Sequence, residues 1–305
     1  MKLTLQQIKE FLIRKRMSRR KITLQQIKEI VEEIKRTTTM EAYSLTICPD
    51  KKPDILDSKF GGLPYWDCSK LYPTDSNGNP LILLAQINFE KFHPEPPLPE
   101  RGMLQFFIGA DDAYGLDIEH PNVQDTFRVV YHETLDTSIS RADIEQMNFP
   151  DNTKKEWEDA TPLLGEWAVE CEKQICCLNM IDMRFAALEK IYGIYGKDME
   201  KDFFHELPDE ELRDALEKEI NANASEYGGH WILGHPSFIQ NYDPRDFNEA
   251  YEKYDTLLFQ MDSDFDNAQC NYVLWGDAGT GNFFISREDL ERRDFSDILY
   301  HADCL

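Results

Sequence analysis

The chain has 305 residues, of which 41% are hydrophobic, and its formal net charge is −24 at pH 7. This length is sufficient for a well-buried core in one large domain or two smaller ones. The longest strongly apolar stretch, residues 80–89, has only the length of a strand, so the composition excludes a membrane-spanning helix.

The cysteines indicate a reducing compartment. Seven are present without a CxxC pair, and the closest group, Cys171, Cys176 and Cys177, has no histidine nearby. Buried reduced thiols fit this spacing better than a zinc site or a disulfide framework. Because the first residues also lack the apolar segment of a secretory signal, the sequence predicts a cytoplasmic protein.

The charge is unevenly distributed. Residues 1–36 hold eleven of the 33 Lys and Arg but four of the 57 Asp and Glu, which leaves 22 basic and 53 acidic residues elsewhere, a balance of −31. Such a body attracts basic proteins and repels phosphate backbones and anionic membranes. We expect a basic protein partner and no membrane, with nucleic acid binding only through residues 1–36. Ordinary solubility is the competing explanation of the charge.

Residues 1–36 contain a short tandem repeat, in which KLTLQQIKE (2–10) recurs as KITLQQIKE (21–29). Each copy begins with Thr-x-x-Gln, the pattern of a helix capping box. The spacing of the apolar residues predicts two amphipathic helices joined by a basic turn. The arm either packs on the body or binds an anionic partner, and its sequence leaves both open.

Further along the chain, short apolar runs alternate with turn residues. LILLAQINF (81–89), MLQFFIG (103–109) and FRVVYHE (127–133) have the character of strands, and TDSNGNP (74–80) that of a turn. Residues 152–224 return to wide apolar faces at helical spacing, which predicts a helical insert. From residue 227 the strand pattern resumes and continues to the C-terminus.

Three landmarks occur twice in the same order. Residues 62–66 (GLPYW) match 234–238 (GHPSF), Gln86 matches Gln260, and GMLQFFI (102–108) matches GTGNFFI (279–285). The sequence therefore predicts an α+β fold built from two pseudo-duplicated antiparallel-sheet units. The N-terminal helical arm is expected at 1–36, followed by one domain at 37–305. Within it we place unit one at about 57–135, the insert at 152–224 and unit two at about 227–305.

The corner GGLPYW (61–66) is not a phosphate-binding loop. Such loops present glycine amides at the start of a helix, whereas here a proline removes an amide and strand-like sequence follows. We expect the glycines to form a turn with positive φ and the aromatic residues to pack.

The motifs together resemble one known family, the YwqG family, a bacterial domain of unknown function. They are SKFGGLPYW, PLILLAQINFEKF, LPERGMLQFFI, LGHPSFIQNYDPR, LLFQMDSD, WGDAGTGNFFI and DFSDILYHADC. The resemblance covers about residues 55–305 and leaves the arm outside. It implies an α+β fold of two related halves around a curved antiparallel sheet, and no established activity. It also implies a protein-binding role, since genes of the family are sometimes found near toxin–immunity genes.

A metal site is one candidate. Asp262, Asp264 and Asp266 occupy alternate positions, like the first ligands of a calcium loop. Asn267 and Val273 then stand where such a loop needs glycine and glutamate. Calcium is therefore the one cofactor considered, and a turn with Asx hydrogen bonds is the alternative.

Ligand contacts are the other candidate. His235 and Gln240 lie in HPSFIQNYDPR (235–245), where His235 with Asp243 could form a base and its orienting group. Gln86 and Gln260 are polar groups at the ends of buried strands, and Asp277 lies among the glycines of WGDAGTGN (275–282). We expect the two glutamines to satisfy backbone groups, or to line a pocket between the units. No nucleophile lies in a recognisable elbow, so no catalytic residue is assigned.

Three functions follow from these features. An acidic module that binds a basic partner, of the immunity type, is favoured. A small-ligand binder or enzyme with a pocket between the units is the first alternative. A calcium-linked structural protein is the second.

Overall fold

The computed structural model describes residues 35–157, 160–163, 165–177, 228–240, 243–246, 248–266, 269–270 and 272–304, with Gln25 and Glu32. Most of the predicted N-terminal arm (1–36) and the part of the predicted insert at 178–224 lie outside the described residues. No described helix has the length and apolar character that a membrane-spanning helix needs.

The described residues form a strand-rich structure with short helices. The strands are β1 (Met40–Cys48), β2 (Lys59–Phe60), β3 (Ile82–Asn88), β4 (Met103–Ile108), β5 (Phe127–His132), β6 (Trp167–Cys176), β7 (His230–Ile232), β8 (Thr256–Asp262), β9 (Phe265–Asp266), β10 (Gln269–Cys270), β11 (Thr280–Ile285) and β12 (Leu299–Asp303). The α-helices are α1 (Arg141–Gln146) and α2 (Arg287–Arg292), and single 3-10 turns lie at Phe89–Lys91, Pro244–Asp246 and Glu249–Tyr251.

Ten strands form one antiparallel sheet in the order β12-β11-β8-β7-β1-β6-β2-β3-β4-β5, and β9 pairs with β10. The sheet curves into a nearly closed barrel, so the α+β class predicted from the sequence is wrong. The predicted helical insert is also wrong at Trp167–Cys176, which is strand β6 and pairs with all nine residues of β1. Its Glu, Lys and Gln residues favour a helix locally, but the long ladder with β1 overrides that preference.

The sheet is arranged symmetrically about the β1–β6 ladder. The first half of the chain supplies β2 to β5 on one side, and the second half supplies β7, β8, β11 and β12 on the other. Strand β1 pairs with β7 of the second half, whereas β6 pairs with β2 of the first half. The first strand of each half, β1 or β6, therefore pairs with the second strand of the other half. Each half has a β-bulge two residues before its glutamine. The unpaired residue is Leu84 in β3 and Leu258 in β8.

The core fills the barrel interior with side chains from both halves. Phe106 of β4 stacks on Phe259 of β8 with ring centroids 4.5 Å apart, and Phe283 of β11 lies 5.1 Å from Phe106. A smaller apolar cluster covers the outer face of each half, around Trp66 in the first and Phe238 in the second. Two layers therefore enclose each half of the sheet.

A loop closes the seam between the edge strands β5 and β12. The rings of Phe127 and Tyr300 lie 5.2 Å apart across this seam. The loop at 109–126 supplies the carbonyl of Pro121, which accepts from the Tyr300 amide at 2.8 Å. Its Gln124 side chain accepts from the Val129 amide at 2.7 Å. Edge groups that would otherwise be open are therefore paired, which protects the sheet from further strand addition.

Candidate functional site

Gln86 and Gln260 hold two turns against the sheet. These are the first corner, at 61–66, and its repeat, the second corner, at 234–238. The side-chain oxygen of Gln86 accepts from the Tyr65 amide at 2.9 Å, and that of Gln260 accepts from the Ser237 amide at 2.8 Å. Both glutamines are buried. Their amide groups therefore bind backbone, which is the first of the two roles expected for them.

A second amide in each half completes the pattern. The Gln105 Nε2 donates to the Tyr65 carbonyl at 2.7 Å, and the Asn282 Nδ2 donates to the Ser237 carbonyl at 2.9 Å. Tyr65 and Ser237 therefore each have both the backbone amide and the backbone carbonyl hydrogen-bonded to side chains of the sheet. Since a buried unpaired amide is costly, these bonds fix the corner on the outer face.

The corner at 61–66 covers a buried ion cluster that the sequence analysis missed. Lys59 is fully buried, with Nζ 2.6 Å from Glu166 Oε1, and Arg141 Nη2 lies 2.7 Å from the same oxygen. Burial lowers the pKa of Lys59, while the charge of Glu166 acts in the opposite direction. The second half has Trp231 at the matching place, since Trp231 pairs with Gln260 as Lys59 pairs with Gln86. The cluster therefore belongs to the first half alone.

The predicted pairing of His235 with Asp243 is wrong, because each has another partner. His235 Nε2 lies 3.0 Å from the Thr38 carbonyl oxygen. Asp243 forms a buried ion pair with Arg245, with 2.6 Å between Oδ2 and Nη2. Arg245 also lies over the Phe284 ring at 4.3 Å. These contacts fix the corner to the sheet and do not form a base with its orienting group.

Gln240 joins the corner to the last strand. Its backbone amide donates to Asp303 Oδ2 at 2.8 Å, and its side chain donates to the Cys304 carbonyl at 2.5 Å. Neither contact was expected from the sequence, because the two segments are more than sixty residues apart in the chain.

A histidine that the sequence analysis did not select lies between two of the predicted metal ligands. His230 Nδ1 accepts from the Asp262 amide at 3.1 Å, so the ring proton is on Nε2. Nε2 then donates to the Asp264 carboxylate at 3.2 Å. The ring is buried edge-on against Phe60 at 4.9 Å. The signal that could have found it is the repeat, since Ser58 makes the matching contact in the first half.

Two of the predicted calcium ligands, Asp262 and Asp264, are engaged in hydrogen bonds. Asp262 Oδ1 accepts from the Thr280 hydroxyl at 2.6 Å, and Oδ2 accepts from the Gly229 amide at 2.8 Å. Burial raises the pKa of Asp262. Asp266 lies in β9, and its side chain is outside the described residues. Among the side chains that the structure describes, no group of three or more potential metal ligands is found.

Asp277 is exposed on the hairpin that precedes β11. The hydroxyl oxygen of Ser263 accepts from the Trp275 and Gly279 amides at 3.0 Å, so these amides are not available to a phosphate. The Gly276 amide donates to the Tyr114 hydroxyl at 3.3 Å. This contact places Asp277 beside the loop at 109–126 that closes the seam, which we call the seam loop.

The seam loop at 109–126 is an acidic and largely exposed segment. It holds five carboxylates and no Lys or Arg. The carboxylates are those of Asp111, Asp112, Asp117, Glu119 and Asp125. Two apolar side chains stand among them, Ile118 at 83% exposure and Val123 at 50%. The charge pattern was visible in the sequence, whereas the exposure of Ile118 required the structure.

Internal hydrogen bonds give the seam loop a defined shape. Asp111 Oδ1 accepts from the Ala113 and Gly115 amides, both at 2.9 Å. Asp117 accepts from the backbone amides of Glu119 and His120, and these bonds lower the pKa of Asp117. A loop ordered in advance loses less conformational entropy when it binds a partner.

A comparison with protein families identifies one match. The model of a domain of unknown function (DUF1963) matches residues 58–304. The match includes both corners, the seam loop and the strands from β2 onward, and it leaves residues 1–57 outside. A search of curated proteins gave no match.

Proposed function

The chain belongs to the DUF1963 family, and because that family has no assigned function we propose one: the protein binds a basic partner protein through its seam loop. The motifs that resemble the YwqG family, and the toxin–immunity association that this resemblance implies, support an immunity-type role in which the partner is a basic toxin. We place this interaction in the cytoplasm. Cys48, Cys68, Cys171 and Cys304 are free thiols, which supports a reducing compartment.

The surface of the seam loop carries this proposal. Five carboxylates, with no Lys or Arg among them, lie in the same loop as the exposed Ile118 and Val123. Covering one such apolar side chain contributes about 1.5–3 kcal/mol, and the carboxylates of the loop select a partner with Lys or Arg at the rim. The occupant that fits is a basic protein segment with an apolar side chain at its centre.

Long-range charge supports the same partner. The net charge of −24 accelerates the encounter with a basic protein, and salt weakens that attraction. The same charge repels nucleic acids and anionic membranes.

The test is affinity capture from the native cell lysate with three forms of the protein. The loop variant carries Asp112→Lys and Glu119→Lys, since both residues are exposed and no side-chain hydrogen bond in the loop depends on them. The control carries Glu249→Lys and Glu252→Lys, which are exposed and change the net charge equally. We expect the wild type and the control to retain a basic protein at low salt and release it at high salt, and the loop variant to lose it.

Two outcomes would contradict the proposal. Equal loss of the partner in the loop variant and the control would show that general charge, and not the seam loop, holds the partner. Retention in the loop variant would place the contact elsewhere. Ile118→Ser supplies an independent readout, since it should weaken binding about tenfold or more without changing the salt dependence.

A second candidate function is the binding of a small ligand, which the contact of His230 with Asp264 supports. A thermal-shift screen with metabolites tests it. A ligand whose stabilisation disappears in Asp264→Asn would establish this function, whereas a screen without shifts would count against it.

A further inference from the structure

The first half contains a buried histidine–amide hydrogen bond on its outer face. His132 Nε2 lies 2.9 Å from Gln105 Oε1. Because the Gln105 Nε2 donates to the Tyr65 carbonyl, Oε1 is the acceptor and His132 supplies the proton. This bond joins β4 to the edge strand β5 directly beneath the corner.

The second half has Asp303 at the place of that histidine. His132 pairs with Met103, which is two residues before the amide-bearing residue of β4. Asp303 likewise pairs with Thr280, which is two residues before Asn282 of β11. A histidine that donates has thus been replaced by a carboxyl group that accepts when it is ionised.

This replacement leaves two buried oxygens without a donor. Asn282 Oδ1 and Asp303 Oδ1 are buried and have no hydrogen-bond partner. Asn282 is fully buried, and its Nδ2 is committed to the Ser237 carbonyl, so its oxygen cannot exchange places with the nitrogen. Asp303 is 8% exposed, and its Oδ2 already accepts from the Gln240 amide. Asp303 and Asn282 are diagonal neighbours on one face of the sheet, as His132 and Gln105 are, so one proton on Asp303 Oδ1 can be shared between the two oxygens.

The charged neighbours favour that proton. Asp262 and Asp303 lie on either side of Thr280, since both residues pair with it across neighbouring strands. Burial is the largest cause that raises the pKa of Asp303, and the charge of Asp262 acts in the same direction. Hydrogen bonds from the Gln240 and Ile239 amides act against them, and the net direction is upward. On the same strand, burial lowers the pKa of His301 to about 4, so that ring is neutral at pH 7. Cys304, the chain neighbour, carries no positive charge.

We propose that Asp303 holds a proton at neutral pH and donates it to Asn282 Oδ1, which replaces the His132–Gln105 bond of the first half. The bond joins β11 to the edge strand β12 and, through Gln240, to the second corner. The folded state binds this proton more tightly than the unfolded chain. Stability is therefore complete below the unfolded pKa and is lost as the pH rises through the folded pKa.

The substitution Asp303→Asn tests this directly, because an asparagine amide supplies the donor permanently while its oxygen still accepts from Gln240. We expect the variant to unfold at a higher urea concentration than the wild type at pH 8.5, and the difference to shrink at pH 5.5. Above the folded pKa, the unfolding equilibrium constant of the wild type should rise up to about tenfold per pH unit relative to the variant. The control is Asp294→Asn, whose exposed carboxylate accepts from Ser296 and has a lowered pKa, so it should show the opposite trend.

The protonation state can also be read in the wild type. With aspartate selectively labelled at the carboxyl carbon, the resonance missing from Asp303→Asn identifies Asp303. A chemical shift typical of a protonated carboxyl at pH 7 is expected. A shift typical of a carboxylate at pH 7 would overturn the proposal, whether or not the variant folds, as would a variant less stable than the wild type at both pH values.

Discussion

Removal of the Glu166 carboxylate would leave two cations without their common partner. Lys59 is fully buried, and its Nζ and the Arg141 Nη2 lie 2.6 and 2.7 Å from the same oxygen of Glu166. Breaking a buried pair by removing one member typically costs about 3–5 kcal/mol. Because Arg141 retains 24% exposure and is partly solvated, we expect Glu166→Ala to cost about 3 kcal/mol.

Removing the lysine should cost less than removing the carboxylate. In Lys59→Met, Glu166 keeps Arg141 as its partner, and the methionine fills the volume of the lysine stem. The variant loses the hydrogen bonds from Lys59 to the Leu63 carbonyl and to Glu166, but it also removes the cost of burying the lysine charge. We therefore expect a net loss of about 1–2 kcal/mol. The double variant, Glu166→Gln with Lys59→Met, should be more stable than Glu166→Ala, since the buried charge is then absent.

Urea unfolding followed by circular dichroism measures these differences. With a slope of about 3 kcal/mol per molar urea, Glu166→Ala should lower the midpoint by about 1 M and Lys59→Met by about 0.5 M. The reasoning fails if Lys59→Met lowers the midpoint as far as Glu166→Ala does. It also fails if Glu166→Ala leaves the midpoint unchanged.

Three further predictions concern the corners, the pH dependence and calcium. Gly62→Ala should cost more than 2 kcal/mol, because a Cβ there would overlap Glu166, while Gly78→Ala meets no atom and should cost about 1 kcal/mol; thermal unfolding compares them. Burial lowers the pKa of His132 to about 4, so the unfolded chain binds the proton first and stability should fall by about 3 kcal/mol from pH 6.5 to 4, but not in His132→Gln. Millimolar calcium should leave the melting temperature unchanged, because it would have to displace the hydrogen bonds of Asp262; a rise of several degrees would contradict this.

The sequence could predict the parts of the fold that recur within it. Gln86 and Gln260 are recognisable because each follows its corner at nearly the same distance, and both bind a corner amide. Local pattern could not predict β6, whose polar residues favour a helix until β1 pairs with them. It also could not show that β1 and β6 pair with the opposite halves, because strand partners depend on the tertiary fold.

The candidate sites were less predictable, since their contacts join distant segments. Lys59 lies in the motif SKFGGLPYW, but its partner Glu166 is more than one hundred residues away and lies in none of the motifs. The repeat aligns His230 with Ser58, which marks the position, but a serine there does not indicate that the second half carries an ionisable group. In the seam loop the charge could be counted from the sequence, but the exposure of Ile118 depends on how this loop, which connects β4 to β5, packs against β12.

The pairing of β1 and β6 with the opposite halves bears on the origin of the molecule. A single half, existing as a separate chain, would present an open sheet edge where β2 or β7 now receives the strand of the other half. Two identical copies could satisfy both edges by exchanging their first strands, and the antiparallel β1–β6 ladder would then lie on the twofold axis of the dimer. Gene fusion would convert that strand-exchanged homodimer into the present chain, after which each copy was free to diverge. Lys59 would then be an acquisition of one descendant, and Asp303 of the other.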